Sequence, residues 1–523
     1  MHHSSSLPSA STPRATLPLL VLASFLAAPL AAQIVNFNGD TYTNHGLVGV
    51  GFLPANTLDQ FGETFGSFSA FTFDQSTWKL NNDGSYSGTL YTQPDRGYNA
   101  ASTTNYVPRY NELALTFTPA PSGSASQNQV GLTLVNTTKF TESNGTPFTS
   151  LDPTSSGFGT RPGLPPLPQA FNGRLSLDAE GIVRLSDGSF YVSDEYGPYI
   201  YRFASNGELL GVIRPPEALI PKRAGADSFA SNNPGVGQPV PVPANPTAGR
   251  QNNQGLEGLS LAPDGKTLIA VLQSAARQDL NTASVPTSRQ NTHVLTYDIS
   301  TDLNNPTLTG DYVVQLPTYL DNGAVRVAAQ SEILALTDTT FLMLARDGNG
   351  LGVANPTSNY RNILLVDLEG ATNLLGTPYS NGTTPIAPNG QLLASIAPAT
   401  TSPFINMNDA AELAKFGLTN GPINNANNLS EKWEALSLVS VLDPAKPFDY
   451  FLFVGNDNDF LTTSGFQDGA AYSASVDNNS AVLVYRVTLP ASAAAVPEPS
   501  TYGFIAGAAL LGLLAVRRFR RRA

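Results

Sequence analysis

The stretch Leu177–Pro198, LDAEGIVRLSDGSFYVSDEYGP, decides the fold. It reads as two short strands around a tight turn, with Asp187-Gly188 as the turn signal between apolar flanks. Asp178 and Glu180 stand at its start, Asp194 and Glu195 at its finish. An antiparallel pair brings its outer ends together, so four carboxylates are expected at one end of the unit. Like charges gathered this way raise one another's pKa unless something positive sits among them. A bound cation or a cationic pocket is the simplest reason to build such a cluster.

Working outward, the hairpin recurs. Gly255–Gln273 reads GLEGLSLAPDGKTLIAVLQ, Gln330–Asp347 reads QSEILALTDTTFLMLARD, and Lys432–Asp459 reads KWEALSLVSVLDPAKPFDYFLFVGNDND. Each copy opens on a glutamate (Glu180, Glu257, Glu332, Glu434), runs through an alternating strand, turns, and ends its second strand on polar residues. A third strand follows in several copies: YIYRF, HVLTYD, NILLVDL and AVLVYRV. A weaker early copy falls on Gly66–Phe73 and Gly88–Gly97, with Ser69 or Ala70 at the glutamate position. Repeated three- to four-stranded units predict an all-β chain folded as a β-propeller with long inter-blade loops. Five blades are readable. About six are expected, the last lying between Thr377 and Ser430 or formed by joining the chain ends. The first strand of each blade lines the channel of a propeller, so the glutamates are expected in a ring around it.

The motifs DAEGIVRLSDGSFYVSDEYGP, NQGLEGLSLAPDGKTL, SEILAL with LARDG, and KWEALSL with GNDNDF resemble the phytase-like family, described as "esterase-like activity of phytase". The resemblance runs from about Leu47 to Thr488 and is strongest from Leu175 onward. It implies hydrolysis of phosphoric or related esters, by analogy with calcium-dependent propeller phytases. A fold alone does not fix that chemistry.

Both ends read as addresses. Residues 1–32 have a secretory pattern: Arg14 in the n-region, an apolar core from Leu17 to Leu30, and Ala31-Ala32 before Gln33. The apolar run is short for a membrane span. The segment 496–523 has a Pro-Glu-Pro element, an apolar helix-capable stretch (Tyr502–Val516) and a tail with Arg517, Arg518, Arg520, Arg521 and Arg522. It resembles the PEP-CTERM sorting signal, which implies processing machinery as a partner and membrane contact before processing. The other reading is a permanent transmembrane helix with its arginines cytoplasmic. Either way the body, residues 33–495, is expected outside the cytoplasm, in the envelope or beyond it.

Composition narrows the chemistry. The chain has no cysteine, so neither disulfides nor thiolates take part. Its net charge is -12, and the end segments carry six arginines against one glutamate, so the body is more acidic still. Nucleic acid is a poor partner for such a surface. An anionic ester approaches it only with metal ions between the two. The four histidines are His2, His3, His45 and His293. The first two lie in the export segment and His293 opens an outer strand, so a Ser-His-Asp triad and a histidine zinc site are poorly supported. Carboxylate and amide oxygens remain, the ligand set of calcium.

The expected metal set is Asp178, Glu180, Asp194, Glu195, Glu257, Glu332, Glu434, Asp457 and Asp459. In GNDNDF (Gly455–Phe460) strand alternation puts Asp457 and Asp459 on one face, Asn456 and Asn458 on the other. Either pair can supply oxygens, and an Asx-rich turn is the plain alternative. The ring glutamates have a plain reading too, as latches for backbone N–H groups at blade starts. Arg346 ends the Glu332 hairpin, either as an ion-pair partner or gripping a phosphoryl oxygen. Lys222 and Arg223 lie in a long insertion (Arg214–Ala248), as solvated surface charge or as a grip on a substrate anion. With calcium at the channel mouth, Glu180 is the first choice for general base and Glu257 the second, with Arg346 beside them. Two rivals stand: a carboxylic-ester or lactone hydrolase of gluconolactonase type, and a non-catalytic envelope or matrix binding module.

Overall fold

The computed structural model describes Met1 and residues 32–493, apart from 100–102, 156, 236 and 282–284. The expected export segment and the C-terminal sorting helix therefore lie outside the described residues. Among the described residues no helix is long and apolar enough to cross a membrane.

Five antiparallel sheets make the propeller. The first blade comprises Ala70–Leu80, Tyr86–Gln93, Arg109–Phe117 and Val130–Lys139. The second comprises Ala179–Arg184, Phe190–Asp194, Ile200–Phe203 and Leu209–Ile213. The third comprises Leu256–Leu261, Thr267–Leu272, Asn291–Asp298 and Thr307–Gln315. Ala329–Ala335, Thr340–Arg346, Arg361–Asp367 and Thr400–Asn406 form the fourth. In the fifth, Lys432–Ser440, Asp449–Asp457 and Ser480–Thr488 are completed by Asp40–Leu53, with Gln33–Phe37 outside it. The five inner strands touch in a closed cycle, the fifth against the first.

The five legible copies are thus the five blades, and the sixth expected near Thr377–Ser430 is not there. That segment supplies the outer strand of the fourth blade and two short helices, Pro378–Asn381 and Ala410–Ala414. The chain ends do join, but they finish the Lys432 copy rather than adding a blade. Thr43 pairs with Thr488 and Leu53 with Ser480. This closure removes two free sheet edges.

Each gap between blades is a packed apolar layer. Between the first and fifth blades, Phe73, Trp78, Tyr86, Phe117, Phe451 and Phe453 form one buried cluster, with Trp78 and Tyr86 stacked at 5.4 Å. At the channel the blades approach too closely for side chains. A Cβ on Gly181 would lie 2.5 Å from the Leu259 Cβ of the third blade, and one on Gly258 would lie 3.0 Å from the Ile333 nitrogen of the fourth. The repeated Glu-Gly pair is therefore a packing unit: the glutamate faces the channel and the glycine admits the next blade.

The inner strands also bulge where the glutamates lie. Pairing skips between Ala179 and Ile182, Leu256 and Gly258, and Trp433 and Ala435, leaving Glu180, Glu257 and Glu434 at the irregularity. A bulge re-aims a side chain, here off the ladder and into the channel. In the fourth blade the skipped residue is Ser331, and Glu332 pairs in register with Leu344.

Candidate functional site

At the channel the carboxylates sort into two groups, each with oxygens within 4.8 Å of one another. One is Asp178, Glu180 and Glu195; the other is Asp95, Asp457 and Asp459. The first is buried throughout and includes three of the four acids at the open end of the Leu177–Pro198 hairpin. Arg96 Nη1 approaches Asp178 Oδ2 at 3.1 Å, and Ser69 Oγ donates to Glu180 Oε2 at 3.0 Å. Asp178 Oδ1, Glu195 Oε1 and the neighbouring Glu257 Oε2 are buried and accept no hydrogen bond. Burial pushes Asp178 up to about 8, with Arg96 pulling against it and Glu195 adding to it. Glu180 is raised well above the usual carboxylate range by burial and then by Glu257, Asp178 and Glu195. Glu257 is raised in the same way, by burial first and then by Glu195 and Glu434. Desolvated acids held together like this oppose one another's ionisation unless a positive charge joins them.

The second group already has its cation. Lys432 Nζ lies 2.6 Å from Asp457 Oδ2, 3.0 Å from Asp459 Oδ1, and 3.8 Å from both Asp95 Oδ2 and Glu434 Oε2. Against the cost of its burial, these four acids keep the ammonium protonated well above its usual range. Burial works against Asp457 too, but Lys432 holds that carboxyl below its ordinary value. The strand ends at Asp457, and Asn458–Phe460 form the Asx-rich turn of the plain alternative. Asp459 and Phe460 adopt positive φ, and their amides donate to Asp457 Oδ1 and Asn458 Oδ1. Through this turn the two aspartates meet Lys432. Asn456 and Asn458 instead donate to the Asn479 and Asn478 carbonyls at 3.1 and 2.9 Å.

Three other residues of the expected set bridge the groups or leave them. Glu434 accepts from the Arg346 guanidinium, and its Oε2 lies 3.4 Å from Ser69 Oγ. Burial outweighs Lys432 and Arg346 and lifts it to about 7. Asp194 spends its carboxylate on the backbone N–H groups of Asp178, Tyr196 and Gly197, at 3.1, 3.0 and 2.7 Å. Glu332 accepts from the Leu259 and Ile333 amides at 3.1 and 2.8 Å. These two are latches. The latch reading therefore describes one glutamate of the four, and the in-register position of Glu332 is the reason.

A polar cavity of about 210 Å³ opens beside Glu257 and Glu434, lined by Gln273, Tyr319, Gln330, Ser331, Arg346 and Asp347 among others. Gln273 hydrogen-bonds the Glu257 carboxyl, and Arg346 reaches Glu434 and, at 3.7 Å, Glu431. The cavity thus meets the acidic ring through Gln273, just past the second strand of the third blade, and Arg346 of the fourth.

Comparison with known proteins gives the family. A phytase-like model, "Esterase-like activity of phytase", matches residues 63–460. The chain belongs to the phytase-like family. A PEP-CTERM protein-sorting motif matches residues 495–522, which implies a sorting machinery as partner and export to the bacterial envelope or extracellular space. A relative from Arthroderma benhamiae, described as an "Uncharacterized secreted protein", is 39% identical over 460 residues, covering 81% of this chain and 88% of its own. Among solved structures, a luciferin-regenerating enzyme has a TM-score of 0.24 at 10% identity, covering 81% of this chain and 94% of its own. A gluconolactonase from Xanthomonas campestris has 0.23 at 9%, covering 88% and 95%. At such scores neither likeness carries an argument about this chain.

Within the phytase-like domain, Lys222 and Arg223 are not brought to the ring by any ion pair described. Lys222 pairs with Glu217 and, at 2.7 Å, with Asp227. Arg223 donates to the carbonyls of Pro243, Ser228 and Ala244 at 2.9, 3.1 and 2.8 Å. Their donors serve the insertion's own short hairpin, Lys222–Arg223 with Ala226–Asp227. His293 is buried in the third blade with Nδ1 2.7 Å from Asp311 Oδ1. Asp95, Arg96, Glu431 and Lys432 were not among the expected site residues. Asp95-Arg96 follows the second strand of the first copy as Glu195 follows that of the second, and this alignment was the available signal.

Proposed function

We propose that the channel of this phytase-like protein is a calcium-dependent ester-hydrolysis centre. One observation carries the reading: Asp178, Glu180 and Glu195 bring carboxylate oxygens within 4.8 Å of one another, and buried oxygens of Asp178, Glu195 and the neighbouring Glu257 have no hydrogen-bond donor. Such a set suits a cation that takes six to eight oxygens in a flexible shell. Asp178, Glu180, Glu195 and Glu257 would hold it. When bound, calcium supplies Lewis-acid polarisation of an ester oxygen and a more acidic water.

The chain's own residues do the rest. The cavity beside the ring seats the ester. Arg346, held by Glu434 and Glu431, offers its guanidinium edge to a substrate oxygen. Glu180 accepts the proton of the attacking water, with Glu257 next in order. Ser69 Oγ, 3.0 Å from Glu180 Oε2 and 3.4 Å from Glu434 Oε2, sits between the two carboxylates and donates its one proton to Glu180 as the nearer.

A second reading, carboxylic-ester or lactone hydrolysis, has one observation in its favour. Lys222 and Arg223 are engaged inside their insertion and Lys432 inside its acidic cluster, which leaves Arg346 as the cation lining the cavity. A polyphosphorylated substrate asks for more positive charge than that. The test is to strip the protein with chelator and follow melting and hydrolysis of an aryl phosphate and an aryl acetate as calcium returns. Binding to the folded state raises the melting temperature by mass action. Calcium-dependent phosphate turnover supports the first reading, and acetate turnover alone the second. A melting shift without turnover of either would leave a structural ion and a binding module.

A further inference from the structure

We propose that the Lys432 ammonium fills the second acidic cluster in place of a divalent ion, so that the channel takes one such ion rather than two. The inference rests on reading the first cluster as a metal site and adds what happens at the other.

The two clusters are alike in ligands and unlike in filling. Each offers three carboxylates with oxygens within 4.8 Å of one another. In the first, the one ion pair among the described residues is Arg96 with Asp178 at 3.1 Å. Asp178 Oδ1 and Glu195 Oε1 are buried there without donors, and so is Oε2 of Glu257, a fourth carboxylate from the next blade. In the second, the ammonium sits centrally, within 3.8 Å of oxygens from four different acids. An ammonium has three donors and a full positive charge. At 2.6 and 3.0 Å from its two nearest oxygens it takes the volume a calcium ion needs and repels one electrostatically.

The placement is built into the sheet. Lys432 and Asp457 are register partners on neighbouring strands of the fifth blade. Asp457 in turn accepts the Asp459 amide at 2.7 Å, which turns the Asp459 carboxylate back towards Nζ. Asp95 arrives from the first blade. The fixed ammonium therefore supplies positive charge that no chelator removes.

The test is equilibrium dialysis of the chelator-stripped full chain against calcium, with melting curves to show that each variant is folded. Lys432→Ala is expected to bind one more calcium than the wild type, and Lys432→Ala with Asp457→Asn to lose it again. Glu195→Gln is expected to bind one fewer. Loss on Glu195→Gln without gain on Lys432→Ala would overturn the role of the ammonium and leave the metal reading standing. Gain on Lys432→Ala without loss on Glu195→Gln would do the reverse. Should the lysine variant not fold, Asp457→Asn alone decides. The wild-type count is expected to persist, and a drop of one ion would show a metal where the ammonium was placed.

Discussion

Asp194 and Glu195 are adjacent carboxylates with different duties. Asp194 holds three backbone amides and keeps the second blade's hairpin closed, whereas Glu195 faces the channel with Oε1 unmatched. Asp194→Ala should cost about 2–4 kcal/mol by urea unfolding, since three buried amides lose their acceptor. Glu195→Gln should leave the calcium-free protein as stable or more so, because one member of a buried like-charged group becomes neutral. It should also abolish the calcium-induced rise in melting temperature. Equal destabilisation by both variants would show that Glu195 is a latch as well. At the chemical step, Glu180→Gln should lower calcium-dependent turnover by about 10²-fold or more even at calcium concentrations high enough to restore its weakened melting shift, the range expected for loss of a general base. Turnover that survives would move the role to Glu257. The glutamates were legible because a repeat marks its own positions. What was not legible was their division of labour. Glu332 shares the repeat with Glu257, yet a bulge falling on Ser331 aligns it with the ladder and sends its carboxylate to backbone amides. Lys432 stood in the quoted KWEALSL motif, but its partners come from two blades, and no local pattern announces such convergence.

At the scale of the element, a blade is held by turn chemistry at its tips and by missing side chains at the channel. Gly188 adopts φ +84° in the Asp187-Gly188 turn that opened the sequence reading, a conformation glycine takes without strain. Gly181 serves a different purpose, close approach. Gly181→Ala would drive a methyl group to 2.5 Å from Leu259 Cβ and 2.9 Å from Ser193 Oγ. Prying two blades apart in this way should cost about 1–3 kcal/mol, measured by denaturant unfolding. The third blade carries a pH-sensitive contact. His293 is buried between strands, hydrogen-bonded to Asp311 and close to the charge of Asp279. Burial alone would lower its pKa, but Asp311 and then Asp279 raise it above the ordinary 6.5 of a histidine. The charged imidazolium therefore stabilises the folded chain fully below about pH 6.5, and that contribution fades as pH rises through the higher folded-state value. Unfolding midpoints taken from pH 6 to 9 should decline across this window, and His293→Gln should flatten the decline. The blades were readable because each hairpin states its alternation and its turn within about twenty residues. The fourth strand of the fifth blade was not. Its pairing is a main-chain register between Thr43 and Thr488, which side-chain patterns at neither end reveal.

For the molecule as a whole, five sheets share one ring, and the ring depends on a strand borrowed from the far end of the chain. Removing residues 33–53 should uncover the edge of Ser480–Thr488 together with the apolar side chains of Leu483 and Tyr485 that cluster with Val50. Such a chain should aggregate or fall to limited proteolysis rather than persist as a slightly weakened monomer, a difference that size-exclusion chromatography resolves. A truncated chain that stays monomeric with a sharp melt would show that the closure is ornamental. The site itself belongs to this scale, since Asp95, Glu180, Glu257 and Glu434 meet only once all the blades stand in order. Closure between the two ends has a further consequence for the life of an exported protein. Ribosomes release the first strand long before the last, so the propeller cannot lock while synthesis is under way. Non-local pairing of this kind is slow to form. The unfinished chain has no closed ring, and its acidic centre assembles only once the final strand finds its partner near the start of the body.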